Sequence, residues 1–333
     1  MHIFLHDAYI GEKMYYTVQH ITKFRYSAPI TESIMEVRIQ PRSEGQQHCL
    51  DFRLTTSPRT QILTYRDDLS NRVHHFDIPN SHSHLTITAE AIVEVLPPLP
   101  LPDELSASAW EELDALTAND EYWDMLKPSH FTQPSEIFYA FMRELDIQRR
   151  HDPLSALHEI NHKLYASIEY AKKNTRVDSP IDDALRIRRG VCQDFAHIMI
   201  TMVRSLQIPC RYVSGYLFAR GNDPRAQSSA GATHAWVEAL LPGLGWVGFD
   251  PTNDTLAGER HIRIAVGRDY SDVPPTHGIF RGKADSDLSV SVRVFPTEAP
   301  PLSAELSLEA DWIPVMHTAY EPEENIHLQP QQQ

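Results

Sequence analysis

The chain has 333 residues and carries 45 acidic against 30 basic residues, so its formal net charge is −15. A surface this acidic repels the phosphates of a nucleic acid backbone, which argues against nucleic acid as a partner. The length predicts about two domains with a sizeable buried core.

The cysteines and the hydropathy pattern indicate a cellular setting. Cys49, Cys192 and Cys210 cannot all pair within one chain, and their wide spacing does not resemble a zinc ribbon. Reduced thiols fit the cytoplasm best. Charged residues interrupt the first 13 positions before the apolar core of a secretion signal could form, and no later stretch is long enough to span a bilayer. We therefore expect a cytoplasmic protein without a membrane partner, and we predict neither a metal nor a cofactor.

The first third of the chain has the pattern of a small antiparallel β domain. Residues 1–13 are expected to be an extension, and from 14 to 96 short alternating runs are separated by prolines. His82 and His84 would share a strand face, but no cysteine or carboxylate cluster accompanies them. Solvated or packed histidines are therefore expected there.

A proline-dense segment, 97–105, lacks periodicity and predicts an extended, stiff connection between domains. A core domain is predicted at 106–296, and an acidic tail at 297–333 is expected to be largely disordered. The core opens with helical periods at 106–116, 135–145 and 154–168. Strands follow these helices, so the order indicates an α+β fold and not a wound parallel sheet.

The stretch around Cys192 predicts a helix N-terminus that follows a turn at Gly190. From Phe195 to Leu206 apolar residues recur with a period of 3.6, and Pro209 ends the run. Free backbone N–H groups and the helix dipole favour a thiolate there, and an imidazolium neighbour can lower a cysteine pKa to about 3.5–7.5. The chemistry next requires a histidine.

Two later strands could supply the partners of that thiol. His234 lies in an alternating run, and a second run ends at Asp250 because Pro251 stops the ladder. If the strands are antiparallel neighbours, the carboxylate can accept from one ring nitrogen of His234 while the other faces the Cys192 sulfur. The glycine- and serine-rich stretch 221–231 is expected to be a flexible loop beside this cleft.

Each of these residues also has a plainer interpretation. A lone buried cysteine is usually a small hydrophobe, a lone strand histidine is usually structural, and aspartate before proline is commonly a turn residue. The order and setting of the three favour the functional interpretation. Cys49 and Cys210 lack the helix-terminal setting and are interpreted as packed small residues.

Four motifs carry a resemblance to a known family, namely those at 189–197, 211–216, 234–236 and 248–252. In these motifs the chain resembles the bacterial transglutaminase-like proteins, whose core has the papain-like cysteine-proteinase fold. The resemblance implies that Cys192 is the nucleophile, His234 the general base and acid, and Asp250 the residue that orients the imidazole.

The N-terminal region also resembles the β domain that accompanies this family. The residues that carry this likeness are Tyr26, Arg38, Pro41, Arg42, Gln47 and the stretch 67–71. Ser70 stands where many such chains have glycine, which weakens that turn slightly.

The implied reaction is acyl transfer at an amide of a peptide or protein substrate. The Cys192 thiolate attacks the carbonyl, its own backbone N–H partly holds the oxyanion, and His234 protonates the leaving amine. Gln193, through its backbone, and Tyr170, through its hydroxyl, are candidates for the second oxyanion donor. Trp236 is a candidate to shield the triad from water.

The fate of the thioester is open in the sequence. Water gives a cysteine peptidase or amidase, release of ammonia from glutamine gives a deamidase, and a lysine amine gives a transglutaminase. The family resemblance favours hydrolysis. The competing hypothesis is a catalytically silent peptide-binding or assembly protein, against which the intact triad counts. Asp250, Asn253 and Asp254 supply too few oxygen ligands for a calcium site, and the oligomeric state is not predicted.

Overall fold

The computed structural model describes residues 13–118, 120–171, 178–218 and 233–299, together with the backbone of 326–328. The predicted loop at 221–231 and nearly all of the predicted extension and tail lie outside these residues.

Six strands form the N-terminal region, as the alternation of apolar and polar residues predicts. They are β1 (Met14–Ile30), β2 (Glu32–Val37), β3 (Gln47–Ser57), β4 (Leu63–Arg66), β5 (Arg72–Ile78) and β6 (His82–Val95). Side chains of β1 alternate between the interior and the surface, because successive residues of a strand point to opposite faces. Residues 97–105 contain no helix or strand.

The remainder of the chain is mixed helix and strand. Its first elements are α1 (Ala109–Leu116), α2 (Trp123–Leu126), α3 (Glu136–Glu144), α4 (Pro153–Ser167), β7 (Glu169–Tyr170), α5 (Ile181–Ile187), β8 (Arg189–Gly190) and α6 (Cys192–Ser205). The strands that follow are β9 (Cys210–Leu217), β10 (His234–Leu241), β11 (Gly245–Asp250), β12 (Thr255–Leu256), β13 (His261–Gly267), β14 (Thr276–Arg281), β15 (Ser286–Thr297) and β16 (Ile326–Leu328). Among the described residues, no helix is both long and apolar enough to cross a membrane.

The N-terminal region consists of two sheets that include strands from the end of the chain. One sheet has the order β15-β1-β6-β3 and the other β16-β14-β2-β5-β4. The sequence analysis assigned β14 and most of β15 to the core domain and expected disorder beyond 297, whereas these strands and β16 extend the N-terminal sheets. Strands β15 and β14 pair with β1 and β2 along edges that the first six strands leave open, and β16 pairs with the outer edge of β14. Unpaired backbone groups at a sheet edge favour another strand.

The core sheet has the order β12-β11-β10-β9-β13, and helix α6 packs on one of its faces. Ala235, Val237 and Ala239 of β10 join the large apolar cluster that contains this helix. Trp236 faces the opposite side, where it packs with Val213, Val266 and Leu69 in a separate small cluster. The sheet therefore has one face on the helices and one face toward the β region.

Polar side chains fasten the β region to strand β13. Asn71 accepts from the Val266 N–H at 2.8 Å and donates to the Val266 carbonyl at 2.9 Å. Gln47 does the same at Arg263, accepting from its N–H at 2.7 Å and donating to its carbonyl at 2.8 Å. Arg42 donates to the Asn71 side chain at 2.7 Å. Three of the residues that carry the N-terminal resemblance, Arg42, Gln47 and Asn71, thus take part in docking the β region onto the core.

Candidate active site

Cys192 is the first residue of helix α6 and is partly buried against the main apolar cluster. The turn before it is stabilised by Asp194, whose carboxylate accepts from the Val191 N–H at 2.8 Å, as an acidic side chain in the first helical turn commonly does. Gly190 is required here because a Cβ atom at this position would lie 2.8 Å from the Asp194 side chain. The predicted helix-terminal position of the thiol is confirmed.

His234 and Asp250 lie on neighbouring antiparallel strands, as expected. Val237 of β10 faces Phe249 of β11, so Asp250 follows one step later, diagonal to His234. Both side chains are fully enclosed, with 1% and 0% exposure. The Nε2 atom of His234 donates to Oδ2 of Asp250 at 2.7 Å. The spatial relation predicted for the base and its orienting carboxylate is present.

Because Nε2 of His234 is bound to Asp250, Nδ1 is the ring nitrogen left to interact with Cys192. This Nδ1 atom is buried and has no hydrogen-bond partner of good geometry among the described residues. Burial alone would lower the pKa of His234, but the charge and hydrogen bond of Asp250, together with the Cys192 thiol, raise it well above its ordinary value. Conversely, burial tends to raise the pKa of Asp250, and contacts with His234 and His261 hold it far below its usual range. The mutual contact therefore favours the charged forms of both groups.

Asp250 is the centre of a larger network than the sequence predicts. Besides His234, its Oδ2 atom accepts from Asn253 Nδ2 at 2.7 Å and from His261 Nε2 at 3.0 Å. Its Oδ1 atom accepts from the Thr252 N–H at 3.1 Å. A carboxylate held by this many donors has a fixed orientation.

The sequence analysis missed His261 altogether and weighed Asn253 only as an oxygen ligand for calcium. In the structure Asn253 turns its amide N–H toward Asp250, and Asp254 points away, to Asn161 and His162. The only sequence signal for His261 is its place at the start of a strand near the aspartate. A single histidine in a predicted strand does not by itself indicate a function.

His234, Asp250 and His261 also form a cluster whose potential metal-binding atoms lie within 4.8 Å of one another. The two histidine nitrogens, however, are at hydrogen-bond distance from the same carboxylate oxygen. A metal would have to replace the protons that hold the three groups together. The donor set fits a hydrogen-bonded network better than a metal centre.

The three secondary candidates all lie near the triad. Tyr170 in β7 pairs in parallel with Gly190, two residues before Cys192, and is partly buried. Gln193 is a buried residue in the first turn of α6. Trp236 is fully buried, and its ring centroid lies 6.1 Å from that of His234. Their proposed roles in oxyanion binding and shielding stay predictions.

The other two thiols occupy different environments, and all three cysteines are free of disulfides. Cys210 is fully buried, and desolvation raises its pKa to about 11. Burial, with a smaller contribution from Asp51, raises the pKa of Cys49 to about 11 as well. Neither thiol sits at a helix N-terminus, in agreement with the interpretation of both as packed residues.

Comparisons with known proteins agree with this architecture. Residues 140–251 match the model of the transglutaminase-like superfamily, and residues 16–94 match that of the bacterial transglutaminase-like N-terminal region. The uncharacterized protein ML0607 of Mycobacterium leprae is 35% identical over 277 residues, which cover 83% of this chain and 97% of that protein. A protein-glutamine gamma-glutamyltransferase of Pseudomonas aeruginosa is 30% identical over 131 residues, covering 38% of this chain and 19% of that protein.

A solved structure shares the fold over nearly the whole chain. It is described as "a Putative Cysteine Protease from Cytophaga hutchinsonii", has a TM-score of 0.67 and 21% identity, and the match covers 96% of this chain and 98% of that one. The predicted α+β fold, with a papain-like transglutaminase core preceded by an antiparallel β region, is confirmed. The chain belongs to the transglutaminase-like superfamily and carries the N-terminal region typical of its bacterial members.

Proposed function

We propose that the chain is a thiol enzyme that transfers acyl groups from amides of peptides or proteins through a thioester on Cys192. The observation that supports this most strongly is the enclosed pair of His234 and Asp250, 2.7 Å apart, with the Cys192 thiol close enough to act on the imidazole. An imidazolium beside the first residue of a helix stabilises a thiolate, which is the nucleophilic form of cysteine.

In the first half of the reaction the thiolate sulfur forms a bond to the amide carbonyl carbon. His234 then donates its proton to the leaving nitrogen, the C–N bond breaks, and a thioester and a neutral imidazole result. In the second half neutral His234 takes a proton from the acceptor, which attacks the thioester and releases the thiolate. Asp250 keeps the ring oriented throughout.

The negative oxygen that forms during each attack requires donors. The N–H group of Cys192 is suited to this because the first N–H groups of a helix have no partner within the helix. The Gln193 backbone and the Tyr170 hydroxyl are the proposed second donors, and the pairing of Tyr170 beside Gly190 supports including it.

Water is the proposed acceptor, in line with the resemblance to cysteine proteases noted from the sequence. An amine acceptor is the second candidate, because one relative is named as a protein-glutamine gamma-glutamyltransferase. That match covers little more than a third of this chain, so it supports the shared thioester chemistry more than the choice of acceptor.

The test supplies both acceptors at once. The protein would be incubated with an unfolded protein substrate, a glutamine-containing peptide and a biotin-labelled primary amine, with Cys192→Ser as the control. New peptide termini, released ammonia and incorporated biotin then report hydrolysis, deamidation and transamidation. We expect new termini or ammonia to exceed incorporated biotin, and no product with Cys192→Ser. Product formation by Cys192→Ser, or no product and no acyl-enzyme by intact mass, would contradict the proposal and favour a binding protein.

A further inference from the structure

We infer that His261 is a positioning residue of this site, because it donates a hydrogen bond from Nε2 to Asp250. This hydrogen bond fixes the orientation of the carboxylate that holds His234 and weakens the hold of the carboxylate on the proton of His234. The inference rests on the proposed function for its catalytic meaning, although its geometry is independent of any substrate.

The hydrogen bonds of His261 determine which nitrogen carries its proton. The Gly258 N–H donates to the Nδ1 atom at 3.2 Å, so Nδ1 is an acceptor. The proton therefore lies on Nε2, which is 3.0 Å from Oδ2 of Asp250. Burial lowers the pKa of His261, and the nearby charges of His234 and Arg260 add to this against the opposing effect of Asp250. His261 is a neutral donor at this position and not a second base.

The arrangement gives His261 two effects on Asp250. Oδ2 accepts from three side chains, so the carboxylate cannot rotate without breaking several hydrogen bonds. In addition, a donated N–H stabilises the negative charge, which weakens the hold of Asp250 on the proton of His234. This matters in the second half of the reaction, because His234 must be neutral to accept a proton from water.

The position of His261 is supported by residues on the face of the core sheet that is turned toward the β region. Trp236 packs edge-on against its ring, with centroids 5.1 Å apart. Two residues further along β13, Gln47 of the N-terminal sheet binds both backbone groups of Arg263. Gly215 faces Arg263 from β9, and a Cβ atom there would lie 2.3 Å from Trp236. The β region thus supports the strand from which His261 reaches the triad.

A pair of variants separates positioning from packing. His261→Phe keeps a ring but removes the N–H donor, whereas His261→Gln retains a donor. The readout is the protonation midpoint of His234, followed by NMR of labelled histidine side chains, together with the pH profile of Cys192 alkylation. The groups facing His234 are Cys192, Asp250 and His261, so the midpoint reports on this network.

We expect His261→Phe to raise the midpoint of His234 by about 0.5–1 pH unit and His261→Gln to restore it toward the parent value. Equal midpoints in the parent and both folded variants would overturn the inference, even if stability changed. In the parent itself, the same NMR experiment should show the proton of neutral His261 on Nε2. A proton on Nδ1 would contradict the inference should the Phe variant not fold. A shifted midpoint without any turnover would leave the positioning intact and remove the proposed function alone.

Discussion

Two buried histidines, His74 in the N-terminal sheets and His234 in the core sheet, differ in opposite directions from the ordinary affinity of an imidazole for a proton. His74 of β5 is bound by the Thr64 hydroxyl and the Gln40 side chain, at 3.0 and 3.1 Å, and burial with the charge of Arg72 lowers its pKa to about 4. His234 is at least as buried, yet the contact with Asp250 raises its pKa. Burial weakens the affinity of an imidazole for a proton, and at His234 the carboxylate in direct contact outweighs this effect. At His261, which binds the same carboxylate, burial and the charge of His234 prevail and the pKa stays lowered.

The largest expected effect on reactivity comes from replacing the carboxylate that contacts His234. In Asp250→Asn the amide cannot hold an imidazolium, so the pKa of His234 should fall and Cys192 should lose its charged partner. We expect alkylation of Cys192 at pH 6 to slow by about 100-fold and turnover by about 10³-fold or more. Asp254→Asn is the matched control, since Asp254 contacts His162 and not the triad. Parent-like rates in Asp250→Asn would mean that Asp250 does not set the charge of His234.

An intermediate effect, on the pH dependence of stability, is expected from His74, the buried histidine of this comparison that has no carboxylate partner in the described part of the chain. The folded-state pKa of His74, about 4, lies below its ordinary value of 6.5, so the unfolded chain binds the proton more tightly. The free energy of unfolding is therefore intact above pH 6.5 and falls as the pH decreases toward 4, by on the order of 2 kcal/mol from this group. His74→Gln should flatten the decrease measured by denaturant unfolding at several pH values. His84→Gln, at an exposed position, should leave the decrease unchanged. An equally steep decrease in His74→Gln would show that another group causes it.

The smallest effect concerns the turn that joins the two regions. Ser70 has a φ of 60°, a left-handed conformation that favours glycine, and it precedes Asn71, which binds Val266. Ser70→Gly relieves that backbone but also loosens the unfolded chain, so we expect a net gain of about 0.5 kcal/mol in the free energy of unfolding. Ser70→Ala keeps the unfavourable conformation and should give no gain. A loss of stability in Ser70→Gly would point to a role for the serine side chain.

The places of Cys192, His234 and Asp250 in the fold could be predicted from the sequence because each residue has a local signal. The 3.6-residue period after Cys192 and the glycine turn before it place the thiol at a helix start, and Pro251 ends the strand at Asp250. The alternation around His234 predicts its strand. Short-range patterns of this kind determine local structure directly, and strands that follow each other in the sequence are often neighbours in the sheet.

His261 and the strands β14 and β15 could not be predicted in the same way. His261 reaches Asp250 only because the chain between β12 and β13 crosses the sheet face over Trp236, which is a tertiary event without a local pattern. Strand β15 alternates clearly, but its partner β1 lies at the other end of the chain. Alternation predicts a strand and does not specify which distant strand it joins.

The pH dependence of iodoacetamide alkylation tests most directly whether Cys192 and His234 form a thiolate–imidazolium pair. Peptide mass mapping would locate the label in the parent and in His234→Ala, with Cys49 and Cys210 as internal references whose pKa values burial raises to about 11. We expect Cys192 to react rapidly below pH 7 and the removal of His234 to slow this reaction by about tenfold or more. Labelling of Cys192 as slow as that of an ordinary thiol, with no effect of His234→Ala, would contradict the ion pair and favour a binding protein.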